Sequence, residues 1–351
     1  MHRSIARTFV LIASASICAL ALSPVQAQAP ATLVVAGYTG SFQKGLEQSV
    51  IPAFEQKYNC HITYIPGAST DTNAKLQAQR AHPQIDVAII DAGPQAQAAS
   101  LGLLAPLDPK IVTNLRDVYP VAKLPDNVGV AIGLIAIGLA YNTKVFADNH
   151  WAPMTSWHDL ERPELKGKLV LPSITQTYGL MLLIMEARLN GGSESNIEPG
   201  FTAMKKLAPY AVNFDKTADV TNYFLQGQAV ATVWGNSRTN TLRATGFPIA
   251  FVYPKEGAGA LLATANLVKD APNPALAQEF INYLLEPDVQ LTNAKTVFFG
   301  PTNGRTKIPE DLAKIVTTQA DVKGLIGPNW VVVNQHRAEW TDRWSKEIET
   351  R

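Results

Sequence analysis

Cysteine is nearly absent: 351 residues hold Cys18 and Cys60 and no other. Cys18 falls inside an N-terminal apolar run that reads as a removable leader, and the one thiol left cannot form an internal disulfide. The fold must therefore be held by packing. Cys60, between Asn59 and His61 at the start of a strand-like stretch, reads as a half-buried position, with a reactive thiol as the alternative. An excess of either charge is also lacking, with 30 Lys and Arg against 29 Asp and Glu, which argues against nucleic acid or anionic lipid as partner. The six histidines are scattered and no His-Glu-x-x-His occurs, so no metal site and no cofactor are expected. After Ala27 no apolar run reaches the roughly eighteen residues of a spanning helix. The nearest, Val128 to Tyr141, is interrupted by Gly129, Gly133 and Gly138.

What is present begins with the leader. His2, Arg3 and Arg7 precede an apolar run from Thr8 to Leu22, and Val25-Gln26-Ala27 supplies the small residues of a cleavage site. Residues 1–27 thus read as a secretory signal peptide, and the periplasm is the expected location. Because Cys18 lies within the run and not at the cleavage point, no lipid anchor is expected. Loss of Arg3 and Arg7 leaves 28 basic against 29 acidic residues, a net charge of −1. The remaining length suits two ordinary domains.

Strand and helix patterns then alternate. Leu33 to Ala36 is a short buried-strand run, and Leu46, Val50, Phe54 and Tyr58 form a helical stripe. Ile62 to Ile65, a helix over Thr72 to Arg80, the strand Val87 to Ile90 and a helix over Gln95 to Leu101 follow. Such alternation predicts a mostly parallel sheet covered by helices. Ile132 to Tyr141 reads as a strand crossing into a second set of α/β units. These comprise Lys168 to Leu171, the helix Thr177 to Leu189 stopped by Gly191-Gly192, short helices near Phe201 to Leu207 and Asn222 to Gln226, and strands Ala229 to Trp234 and Ile249 to Tyr253. Pro254 to Gly257 reads as a second crossing, Leu261 to Val268 as strand, and Pro274 to Leu285 as a helix with Pro287 just past its end. The tail from Gln335 to Arg351 reads as a surface helix. The expected division is a first lobe over 28–134 and 258–300, a second over 135–257, and a C-terminal helical segment, 301–351, packed on both.

Several segments resemble the extracellular solute-binding proteins of ATP-driven importers, in the branch that holds the polyamine binders and their ferric-iron and thiamine relatives. They are Asp86 to Asp91, Gly227 to Ser237 (Gly-Gln-Ala-Val-Ala-Thr-Val-Trp-Gly-Asn-Ser), Phe247 to Gly257, Asn282 to Val289 and Gly300 to Asn303. The resemblance spans almost the whole mature chain. It implies a two-lobed periplasmic-binding-protein fold of type II, α/β in each lobe, joined by crossing hinge strands and closing over one solute. It also implies a monomer that delivers the solute to a membrane permease, without catalysis.

Candidate ligand residues lie in loops after strand ends, where helix N-termini offer free N–H groups. Tyr38 and Thr39 follow the first strand, with Ser41 as a helix cap or a further contact. Asp91 can pair with a cation, cap the following helix, or both. Ser173, Gln176 and Thr177 form the matching loop of the second lobe. Trp234, Asn236 and Arg238 end a strand: Trp234 as an apolar wall or as core, Arg238 as a carboxylate clamp or an exposed helix residue. Phe298, Phe299 and the Gly300 to Asn303 turn stand at the rim or in the hinge. The polyamine binders' acidic residues are missing between Leu171 and Met185, and Leu262 and Thr264 stand where those proteins place an aromatic and a carboxylate. Thr264 is therefore a neutral candidate contact, and a zwitterion or organic acid fits at least as well as an amine.

Three rival readings accompany this one. Gly235-Asn236-Ser237-Arg238-Thr239 approaches a serine-hydrolase elbow but lacks its final glycine, with His336 as the available downstream histidine. A ferric-ion carrier would draw on Tyr38, Tyr178, Tyr223 and Tyr253, although no Tyr-Tyr pair occurs. A sensor partnering a membrane receptor would use the same closing motion as a permease partner.

Overall fold

The computed structural model describes residues 30–350; the expected leader, with Cys18, lies outside them. β1 (Ala31–Gly37) buries Leu33, Val35 and Ala36 and runs parallel to β2 (Cys60–Pro66) and β3 (Val87–Asp91). Between β1 and β2, α1 (Ser41–Gly45) continues through a π-turn at Leu46–Val50 into α2 (Ile51–Tyr58). Pro52 has no N–H to offer the preceding turn, which loosens the ladder there. α3 (Ser69–Ala78) and α4 (Ala92–Ser100) follow β2 and β3, and the short β4 (Leu104–Ala105) ends this set. Just before β3, buried Asp86 accepts from the Val34 and Asn273 N–H groups at 2.8 and 2.7 Å, tying together segments far apart in sequence.

β5 (Val130–Asn142) leads out of this set, through α5 (Thr143–Asp148), to the second. There β6 (Leu169–Pro172) runs parallel to β7 (Ala211–Asp215) and β8 (Ala231–Gly235). The helices between them are α6 (Thr177–Leu189), α7 (Glu198–Leu207) and α8 (Thr221–Leu225). α9 (Asn236–Ala244) and β9 (Ile249–Val252) complete the set, and β10 (Ala258–Val268) returns to the first. α10 (Pro274–Leu284), α11 (Pro287–Thr296), α12 (Glu310–Ala313), α13 (Gln319–Val322), β11 (Leu325–Ile326) and α14 (Trp330–Glu347) finish the chain.

The strand order β2-β1-β3-β10-β5-β8-β6-β7 makes the plan explicit. Each end is a trio of parallel strands, and each trio is flanked by one long antiparallel strand: β10 beside β3, β5 beside β8. Those two long strands pair with each other in the middle. The α/β architecture with crossing strands therefore stands as expected, with one correction: the return crossing is made by β10 itself and not by Pro254 to Gly257. Gly133 and Gly138 are placed by packing, since a Cβ at either would meet the Phe299 ring or the Val252 carbonyl.

Other differences have local causes. β7 escapes sequence reading because it is an edge strand with Val212 and Asn213 exposed, leaving no apolar run to see. Pro287 stands just past the end of α10, as expected, and also opens α11 from the first turn, where a missing N–H costs nothing. Cys60 is buried, and burial followed by the nearby Glu55 charge pushes its thiol up, which keeps it protonated and unreactive. α14 is a surface helix with one face turned inward. Val333, Arg337, Trp340 and Trp344 recur at intervals of four, three and four, which puts them on one buried face.

α14 also touches both halves of the sheet. Asn334 donates to the Gly93 carbonyl at the start of α4 at 3.2 Å. On the other side Arg343 pairs with Glu198 of α7 and stacks 4.0 Å over the Phe201 ring, Lys205 meets Glu347 at 2.8 Å, and Trp344 packs edge-on to Phe214. α14 is therefore anchored on both halves, with the Trp330 ring so close to Gly93 of α4 that a Cβ there would collide with it.

Candidate functional site

A cavity of about 690 Å³, open space at its mouth included, lies where the two halves meet. The first half lines it with Tyr38, Thr39, Ser69, Thr70 and Asp91, over an apolar floor of Phe42, Val297 and Phe299. From the second half come Thr175, Gln176, Thr177 and Tyr178, then Thr217, Ser237 and Arg238. Arg337 of α14 closes the ring. These positions follow from the fold: β1 and β3 end at the cavity from the first half, β6, which runs opposite to them, ends at it from the second, and the helices that follow start there.

Asp91 is the centre of the network. Its carboxylate accepts from the Tyr38 hydroxyl at 2.6 Å within the first half and from the Thr177 hydroxyl across the cleft. Its backbone stands at the N-cap of α4, but its side chain makes no capping bond, so the cleft role prevails. Burial raises the Asp91 pKa, while the Thr177 and Tyr38 hydroxyls and the Arg337 and Arg238 charges pull it the other way. Tyr38 is held well above its usual range by burial and then by the Asp91 charge.

Arg238 is the second link across the cleft. It sits in the first turn of α9 and bonds Asp219 of its own half at 3.0 Å. It then reaches Ser41 Oγ at 3.4 Å and the Thr39 carbonyl at 3.2 Å in the other half. Burial pulls its pKa down, and Asp219 and Tyr178 more than offset that. Gly40 makes the approach possible: its φ of 73° favours glycine, and a Cβ there would collide with the Asp219 carboxylate. Gly40, and not Ser41, holds the N-cap position of α1.

The structure thus brings Tyr38, Thr39, Asp91, Gln176, Thr177 and Arg238 together around one cavity. Gln176 donates to the Asp215 carbonyl and carboxylate at 2.5 and 2.9 Å, which fixes its amide. The other four candidates stand behind the wall. Ser173 is fully buried and accepts from Thr175. Trp234 belongs to the core of the second half, donating to the Ala218 carbonyl at 3.2 Å and stacking on Phe224. Asn236 accepts from the Ala136 N–H at 3.0 Å and donates to Thr317 at 3.1 Å, which pins α9 to β5. Thr264 donates to the Ile90 carbonyl at 2.7 Å between β10 and β3. The common reason is that α9 begins directly after β8, which turns Asn236 inward, while Thr264 lies inside a paired strand.

Sequence reading missed Asp219 and Arg337. Asp219 sits in a hydroxyl-rich turn with no regular pattern. Arg337 carried a signal, as the one charged residue in the apolar series Val333, Trp340, Trp344. It is 8 % exposed, and neither guanidinium Nη finds an acceptor among the described residues. Burial lowers its pKa, opposed by the Asp91 charge.

The rivals fare poorly on geometry. Ser237 is buried in α9, whereas His336 is paired with Glu339 on the exposed face of α14. Of the four tyrosines open to a ferric-ion carrier, Tyr38 and Tyr178 line the cavity, and burial first of all raises both, Tyr178 to about 12.

The family described as bacterial extracellular solute-binding protein matches residues 49–321. The spermidine/putrescine-binding periplasmic protein of Escherichia coli is 28% identical over 181 residues, which are 50% of this chain and 51% of that one. The chain thus spans about half the length of such curated relatives. A crystal structure of an ABC transporter protein from Clostridium perfringens superimposes with a TM-score of 0.70 at 27% identity, covering 90% of this chain and 99% of the other. The periplasmic binding protein AfuA of Actinobacillus pleuropneumoniae, with fructose-6-phosphate bound, gives 0.77 at 23% identity over 92% and 99%, a likeness of fold.

Proposed function

The chain belongs to the bacterial extracellular solute-binding proteins, and we propose that it captures a small polar organic solute in the cleft and passes it to the permease of an ABC importer. One observation carries the reading. The cavity is walled by both halves, and the bonds that join the walls, Thr177 to Asp91 and Arg238 to Thr39 and Ser41, are a handful of polar contacts. Such contacts can part if β5 and β10, which cross the middle of the sheet, bend and α14, packed on both halves, moves with them. Hinge bending in those two strands would open the cleft, and a solute touching both walls would favour the closed state by its differential affinity. The lobes we assign are 28–134 with 258–300, and 135–257, with 301–351 packed across them.

The same reading makes the chain a carrier without turnover, exported by its leader and acting in the periplasm as a monomer. Nucleic acid has no place in it: the charge is balanced and the cleft is a small-molecule cavity. Native mass spectrometry of protein taken from the periplasm tests the proposal. A stoichiometric small-molecule adduct that leaves on denaturation is the expected result. A protein that emerges empty, and whose melting temperature no solute class raises, contradicts it.

A further inference from the structure

Two charged residues line the cavity without an ion-pair contact of their own among the described residues. Arg238 and Asp219 form an ion pair and cancel. Asp91 and Arg337 line the same cavity without an ion pair between them among the described residues. A carboxylate offers about four lone-pair sites, and Asp91 uses two, for Tyr38 and Thr177. Arg337 is the more exposed case energetically: a guanidinium with both terminal nitrogens buried and unbonded is a large desolvation cost with no return inside the protein. Arg337 lines the cavity from α14, which packs on α4 of the first half and on α7 of the second. Asp91 belongs to the first half.

We propose, building on the solute-binding reading, that Arg337 is the carboxylate-binding residue of the cleft and that the solute is an amino-acid-type zwitterion. Its carboxylate meets Arg337 and its ammonium meets Asp91. The geometry of the guanidinium suits a carboxylate held through two parallel N–H bonds. Charge selects among the alternatives. With one charge of each sign on the walls, a diamine leaves Arg337 facing a cation, and a phosphate ester sets surplus negative charge against Asp91. A zwitterion satisfies both groups and leaves the closed cleft neutral. It also ties Asp91 of the first half to the helix that packs across both halves. The floor of Phe42, Val297 and Phe299 receives an apolar side chain.

Isothermal titration of the mature wild-type protein with matched triples tests this without any mutation. Leucine, 3-methylbutylamine and 4-methylpentanoate make one triple; phenylalanine, phenethylamine and 3-phenylpropionate make another. Putrescine, spermidine and glucose 6-phosphate complete the panel. An amino acid should bind about 10- to 100-fold more tightly than either truncated partner, the scale of a charge-assisted bond lost at each end. R337Q should bring the amino acid down to the level of its amine, D91N to that of its acid, and R337K should recover part of the loss. Without ligand R337Q should melt no lower than wild type, because it removes an unpaired buried charge; a purely structural arginine would lower it. Binding of a diamine or sugar phosphate unaffected by R337Q overturns the assignment and leaves the solute-binding reading intact, as does a native adduct lacking either amine or carboxylate. Silence from the whole panel, with no native adduct, overturns both.

Discussion

The two halves of this molecule share one plan and differ in where they bury charge. Each is a parallel trio flanked by a long antiparallel strand. In the first half the uncompensated acid, Asp91, faces the cleft. In the second, the cleft arginine is neutralised by Asp219, and the uncompensated acid, Glu186, lies inside α6 with its pKa raised to about 8 by burial and then by the Glu161 charge. Equivalent scaffolds therefore carry a buried carboxyl in different places: one at the cleft between the halves, the other within a core, where it can only cost stability once ionised.

That contrast can be broken from the second half first. A raised pKa means that folded Glu186 keeps its proton while the unfolded chain loses it. Stability from this group is full below about pH 4.5 and falls as pH climbs towards about 8, at about 1.4 kcal/mol per pH unit. E186Q should remove that slope, melting higher than wild type at pH 8 and equal to it near pH 4.5, with solute affinity unchanged. A wild type and variant that run parallel across this range would show that Glu186 is not held neutral. W234A comes next: it should destabilise by about 3–5 kcal/mol, while the folded fraction binds solute normally, because Trp234 is core and not cleft wall. Weakened binding at full occupancy of the folded state would return Trp234 to the site.

Smaller effects separate the two walls. D219N leaves the buried Arg238 without its acidic partner and should lower the melting of the empty protein, and weaken solute binding by about 1.5–3 kcal/mol as well. Loss of fold stability in place of affinity would make Asp219 a scaffold residue. K144A, which breaks the exposed Lys144–Asp148 pair on α5 at 2.6 Å, should change chemical denaturation by less than about 0.5 kcal/mol, and any effect on binding would be unexpected.

How much of this was legible beforehand depended on what pattern each segment left. α6 was read at its observed ends, since a continuous apolar run between a polar loop and Gly191-Gly192 admits little else. β1 and β3 were equally plain, buried on both faces. The loops after them gave Tyr38, Thr39 and Asp91, because a parallel sheet places its strand ends together. Trp234, Asn236 and Thr264 were misplaced for one reason: residue type suggests chemistry, but orientation is decided by whether a helix starts at once or a strand is paired on both sides. Packing of the tail on both lobes is legible, but Arg337 is not, because only its four-three-four spacing with Val333, Trp340 and Trp344 puts it on the buried face.

The central claim is that the two halves close over a solute, and small-angle X-ray scattering of the mature protein tests it most directly. Stripped of its solute by denaturation and refolded, the protein should show a larger radius of gyration, which falls when the solute identified from the native protein is restored to saturation. Superimposable profiles at confirmed stoichiometric binding would contradict the account.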